Sequence, residues 1–159
     1  KHKRDYKNKI MENKVRKPKP IFKDGAISAE SIGKSIGNHQ SKTEIGGHSI
    51  FLGQVRADEI DGKTVGAIEY SAHEEMAENE VYKIREAAFE KYNLSCMHIY
   101  HSIGVVNMGE ICLFVFTSSP HRRDCQDATD YIVEEIKKRA PIFGKELFLG
   151  GDFQWKKNK

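Results

Sequence analysis

An α+β fold with a mostly antiparallel sheet is predicted by three observations. Apolar patterning places the regular elements in the order β-β-α-β-β-α-β. Neighbouring strands are separated by short turns rather than by helical crossovers. One run, EICLFVFTS at 110–118, is apolar on both faces, as a strand in the middle of a sheet must be. The 159 residues, 38% of them hydrophobic, suffice for one ordinary core without disulfides. Doubly wound nucleotide folds are disfavoured, since the chain has no GxGxxG, Walker or GxSxG motif.

Each element has its own local reason. Ser28 can cap a short helix over 29–37, stopped by Gly37-Asn38. Residues 47–56 (GHSIFLGQVR) carry the β-branched and aromatic content of a strand. Asp61-Gly62 turns the chain, and 64–72 (TVGAIEYSA) returns as a second strand. From about His73 to Tyr92, Ala77, Val81, Ile84 and Ala88 fall on one helical stripe. Residues 96–106 and 110–118 form a hairpin about Asn107-Met108-Gly109. A helix over 122–139 buries Cys125, Ala128, Ile132 and Ile136, with basic residues at its negative dipole end. A short strand at 146–149 and the segment 153–155 close the chain.

The net charge of +3 divides unevenly. Residues 1–23 hold ten basic groups against Asp5 and Glu12, a net of +8, and the other 136 residues are acidic at −5. The first segment is expected to be a basic flexible arm, with Pro18 and Pro20 blocking helix. Met11 is a candidate start, which would set residues 1–10 outside the native sequence. The folded domain is expected over 24–159. An arm of this kind suits a polyanion, but a solvated tail is the commoner explanation. No apolar run reaches the roughly 20 residues of a membrane span, and no apolar signal core opens the chain. The expectation is a soluble cytoplasmic protein without nucleic-acid or membrane partners.

Three clusters could carry chemistry. Ser118-Ser119-Pro120-His121-Arg122-Arg123 lies where a central strand gives way to a helix, so cationic side chains join free backbone N–H groups. The plainer reading pairs these arginines with Asp124, Asp127 or Glu44. Lys137-Lys138-Arg139-Ala140-Pro141 ends the next helix, where lysines commonly just complement the dipole. Here Pro141 to Gly144 fold the chain back and return Lys145 nearby. A lysine in a partly desolvated pocket can act as acid, base or nucleophile. Arg56, at the end of a strand, could complete a basic pocket. A metal is not expected: Cys96 and His98 share a strand face but His101 takes the other, so no compact ligand set follows. Core packing is the better account of Cys96, Cys112 and Cys125, and no CxxC pair occurs.

The segments FLGQVR (51–56), IEYSAHEEMAE (68–78), HSIGVVNMGE (101–110), FTSSPHRRDCQDA (116–128) and KKRAPIFGKE (137–146) together resemble the large, catalytic subunit of molybdopterin synthase. The resemblance covers about residues 26–156. It implies an α/β hammerhead fold, a homodimer, and two copies of a small ubiquitin-like sulfur-carrier subunit, a heterotetramer overall. It implies a sulfurtransferase reaction without a cofactor. Sulfur would pass from the small subunit's C-terminal Gly-Gly thiocarboxylate to cyclic pyranopterin monophosphate, building the molybdopterin dithiolene. Position by position, Arg56, His121, Arg122 and Lys138 are implied to bind substrate, and Lys137 and Lys145 to be catalytic. The family's second lysine aligns with Gly144, one residue before Lys145. That departure leaves open a non-catalytic module that docks a ubiquitin-like partner.

Overall fold

The computed structural model of the chain describes residues 18–158. Most of the expected basic arm lies outside these residues. Its end does not belong to an arm: Ile21 is buried in the core, and β1 (Phe22–Asp24) pairs in parallel with residues 101–103. The folded domain therefore begins about three residues before the expected boundary. The reason is non-local, since Ile21 and Phe22 find an apolar surface that their basic neighbours hide in the sequence.

The remaining elements are α1 (Ala29–His39), β2 (Gly47–Gln54), β3 (Glu59–Ile60), β4 (Lys63–Ala72), α2 (Glu74–Lys91), β5 (Cys96–Asn107), β6 (Ile111–Ser119), α3 (Arg122–Arg139), β7 (Ile142–Phe148) and β8 (Phe153–Trp155). The eight strands form one sheet in the order β2-β6-β5-β4-β7-β8, with β1 beside β5 and β3 beside β4. All pairs except β1–β5 are antiparallel. The α+β expectation holds.

Strand β6 lies between β2 and β5, and every residue from Cys112 to Ser119 is buried. Its two faces meet different covers. Leu113 and Val115 join Val81, Ile84 and Ala88 of α2 and Ala128, Ile132 and Ile136 of α3 in the main core. Phe114 and Phe116 pack with Ile27 and with Ile32 of α1 in a smaller one. Ser28 caps α1 as expected, its hydroxyl accepting from the Ser31 N–H at 3.1 Å. Asp61 and Gly62 take φ of 51° and 77°, the left-handed pair that a two-residue hairpin between β3 and β4 demands.

Long strand β5 changes partners along its length. It pairs with β6 through His101 and with β4 from Gly104 onward. Gly104, at φ 82°, supplies the bend at that handover, a conformation that costs a side-chain-bearing residue strain. Strand β7 starts at Ile142, four residues before the expected strand, because pairing with β4 from Ala72↔Ile142 extends it through Gly144.

Two substitutions test the burial. Ile132, fully buried between α3 and β6, should cost about 2–5 kcal/mol as Ile132→Ala. Met76, 59% exposed, should change stability by less than about 0.5 kcal/mol as Met76→Ala. Urea unfolding of both variants checks the contrast.

Candidate functional site

The last turn of α3, strand β7 and the segment after β8 converge on a small pocket. It is lined by Tyr70, His101, Ile136, Lys137, Ala140, Ile142, Gly144, Lys156 and Asn158. Tyr70 comes from β4, whose partner across the sheet is Gly144. Asn158 donates its amide to the Lys137 carbonyl at 3.3 Å, satisfying one of the free acceptors at the helix end. The enclosed space is about 30 Å³, which holds a water but not a substrate.

Lys137 has an unusual setting for a lysine in a last helical turn. The residue is exposed, yet its surroundings lower its pKa from the ordinary lysine value, chiefly by desolvation of the ammonium. Cys112 acts in the opposite sense and the Lys156 charge in the same sense. Tyr70 donates its hydroxyl to Cys112 Sγ at 3.3 Å, and burial pushes its pKa up, so the phenol stays protonated. His101 is buried with Nδ1 2.7 Å from the Ser102 carbonyl, so Nδ1–H is the donor. Burial holds its pKa down at about 4; the Ser102 bond opposes that shift and Lys137 adds to it. The pocket therefore presents two ammonium groups beside neutral polar side chains.

Lys156 is the residue that sequence reasoning missed. A side chain at Gly144 would start 3.6 Å from Lys156 Cβ, 3.5 Å from the Tyr70 ring and 3.1 Å from Ile68 Cγ2. Gly144 thus opens the space through which Lys156 approaches, and the Lys156 N–H donates to the Gly144 carbonyl at 2.8 Å. Lys145 does not share that space. Strand alternation turns it to the opposite face of β7, where its ammonium lies 4.0 Å from the Phe153 ring centroid and 5.9 Å from that of Trp155. Its expected place in the pocket is corrected, because a one-residue offset on a strand reverses the side-chain direction.

The other expected residues lie elsewhere. Lys138 is exposed and does not line the pocket. Arg56, just past β2, is exposed and pairs with Asp58 at 3.2 Å. His121 is the N-cap of α3 and makes no side-chain capping bond. Ser119 takes that task instead, accepting from the Cys125 N–H at 3.0 Å and donating to the His121 carbonyl at 2.6 Å. His121 and Arg122 are exposed, and among the described residues Arg122 and Arg123 enter no ion pair. The pairing with Asp124, Asp127 or Glu44 is absent. Fifteen residues of helix separate Arg122 from Lys137, about 22 Å along the axis. One chain does not bring both ends of α3 to one small ligand.

An open, mostly antiparallel sheet covered by helices on both faces, with a lysine-lined pocket where α3 runs into β7, defines the class of this α+β protein. Residues 23–139 match the model of the MoaE protein family. The chain belongs to that family. It is 39% identical over 113 residues to the molybdopterin synthase catalytic subunit of Pyrococcus abyssi, covering 71% of this chain and 76% of that one. The crystal structure of molybdopterin synthase from Staphylococcus aureus superposes with a TM-score of 0.71 at 26% identity, over 90% of this chain and 98% of that one. A complex of subunits 1 and 2 of molybdopterin-converting factor from Helicobacter pylori shares the fold, with a TM-score of 0.73 at 18% identity, over 87% and 90% of the chains.

The buried His101 gives a pH prediction. Its pKa falls from 6.5 unfolded to about 4 folded, so the unfolded state binds more protons between those values. Stability should therefore rise with pH from 4 to 6.5 and fall on acidification, by about 3 kcal/mol from this group. His101→Gln should flatten that part of the urea-midpoint profile.

Proposed function

We propose that this chain is the catalytic subunit of a molybdopterin synthase, working as a sulfurtransferase in the cytoplasm. Sulfur passes from the C-terminal thiocarboxylate of a small ubiquitin-like subunit to cyclic pyranopterin monophosphate. The single observation that carries the reading is Lys137 and Lys156 lining one pocket, in a family whose named relatives are catalytic subunits of this enzyme. A thiocarboxylate is an anion and the substrate bears a phosphate, so both call for cations in a closed site.

The chemistry follows from the pocket. The thiocarboxylate sulfur attacks an oxygen-bearing carbon of the substrate; the C–O bond breaks, the oxygen departs as water or as a phosphate oxygen, and the carrier is left joined to the pterin as a thioester. Water then cleaves the acyl–sulfur bond, leaving sulfur on the pterin and a carboxylate on the carrier glycine. Lys137, with its pKa lowered, serves as acid or base, or polarises the thioester carbonyl. Lys156 supplies the second positive charge. Tyr70 and His101, both neutral, hold the lysine's surroundings without competing for the anion.

The length of α3 supports a homodimer. A pocket at one end and the His121–Arg122 pair at the other act on one phosphate-bearing substrate when the pair comes from a second copy. Arg56 joins as the substrate's other anchor once released from Asp58. Both edges of the sheet offer apolar surface for partners: Phe51 and Leu52 on β2, and Phe143, Phe153 and Trp155 on β7 and β8. That suits two kinds of partner, a second copy and the small subunit, and the H. pylori structure is itself a two-subunit complex. Gly144 favours the alternative of a docking module without chemistry, and the same assay decides between them.

Dithiolene formation from thiocarboxylated small subunit and pterin precursor is the test. Lys137→Ala should lose about 10²–10⁴-fold in turnover with the fold intact. Lys156→Ala should lose at least about tenfold, while Lys145→Ala changes little. Near wild-type turnover by Lys137→Ala, or no turnover by the wild-type chain, would overturn the reading.

A further inference from the structure

We propose that His39, Cys96 and His98 form a binding site for one zinc-class metal ion, separate from the lysine pocket. His39 is the last residue of α1, and Cys96 and His98 share one face at the start of β5. The three residues form a compact set of metal-ligating side chains. The sequence reading lacked His39, which stands 57 residues from Cys96, and so found no ligand set. Cys96 is correspondingly not a core cysteine but half-exposed among polar side chains.

The donor atoms close a triangle. His39 Nε2 lies 2.9 Å from Cys96 Sγ and 3.0 Å from His98 Nε2, and Cys96 Sγ lies 3.4 Å from His98 Nε2. Tetrahedral zinc, with Zn–N of about 2.0–2.1 Å and Zn–S of about 2.3 Å, separates its ligand atoms by about 3.3–3.6 Å. The triangle needs to open by only about 0.2–0.6 Å to hold such an ion.

Proton placement favours the same conclusion. His39 Nδ1 lies 2.6 Å from the Ser35 carbonyl, one turn back on α1, and only a protonated Nδ1 makes that bond. Nε2 is then the nitrogen that faces the cluster. Metal-bound histidines are held in this way, the second nitrogen donating to a carbonyl or carboxylate. A single lone pair cannot serve two hydrogen-bond neighbours at 2.9 and 3.0 Å equally, whereas one cation draws on all three donors at once. Phe116 of β6 gives the cluster an apolar floor, its ring 4.8 Å from that of His39 and 6.1 Å from that of His98. Lys42 Nζ lies 3.4 Å from Cys96 Sγ at the rim of the cluster.

Two imidazoles and one thiolate suit zinc, and cobalt(II) reports on the same geometry. Three protein ligands leave a fourth position, open to water because Cys96 and His98 are only half-buried. The bound ion would tie the end of α1 to β5. Sulfur transfer does not pass through this cluster, so its test stands apart from the functional reading.

Chelator-stripped full chain is titrated with Co²⁺ and followed by absorption. The expected result is one equivalent bound, with visible bands of tetrahedral cobalt and a near-ultraviolet sulfur-to-cobalt charge-transfer band, both bleached by Zn²⁺. Cys96→Ser should abolish the charge-transfer band. His39→Ala and His98→Ala should each weaken binding more than about tenfold, the scale on which even outer-shell changes act, and His73→Ala should not. Zn²⁺ should also raise the Tm of the wild-type chain and not that of Cys96→Ser. No charge-transfer band in the wild type, or a band that persists in Cys96→Ser, would overturn the site, as would rapid alkylation of Cys96 unaffected by saturating Zn²⁺.

Discussion

Strand β6 has water on neither face, and the rest of the architecture answers that constraint. Eight consecutive buried residues, Cys112 to Ser119, require covers on both sides of the sheet. Helix α1 supplies one and the α2–α3 pair the other. Thr117, at the buried surface under α3, accordingly finds its partners in the helix, donating to the Cys125 carbonyl at 2.9 Å with Thr129 Oγ1 also at 2.9 Å. Because α3 must lie along the sheet to cover it, its two ends reach opposite margins of the molecule. The His121–Arg122 pair and Lys137 are distant within one chain for a reason of packing, before any reason of chemistry.

Local periodicity made much of the fold legible. The stripes Ala77-Val81-Ile84-Ala88 and Cys125-Ala128-Ile132-Ile136 predicted α2 and α3, and all eight residues are buried. Expected bounds for α3 agree with the observed Arg122–Arg139. What escaped was set by pairing between distant segments. Ile21 and Phe22 sit among basic residues and gain their place only from β5. Strand β7 begins behind Pro141 and contains Gly144, both of which argue locally for a turn, but seven registered pairs with β4 override them.

The site was legible in part. Lys137 stood out by sequence context, and the structure places it in the pocket at the end of α3. Lys145 fell on the wrong face because a strand repeats every two residues and the expected position lay one residue away. Lys156 carried no local signal, since only the pairing of β7 with β8 brings it to Gly144. The same holds for His39, which reads locally as the end of a helix. Residue type and spacing along one element are visible in a sequence; proximity between elements depends on register.

The exchange at Gly144 has a consequence for how such proteins are compared. A charge on a long, flexible side chain can be delivered to one point from either of two adjacent strands, so the requirement attaches to a location and not to an alignment column. The glycine and the lysine that reaches over it are then a matched pair. A side chain at Gly144 would press first on Ile68 Cγ2, at 3.1 Å, and would meet Lys156 at ordinary contact distance. Judged by location, the pocket of this chain presents two lysines, Lys137 and Lys156.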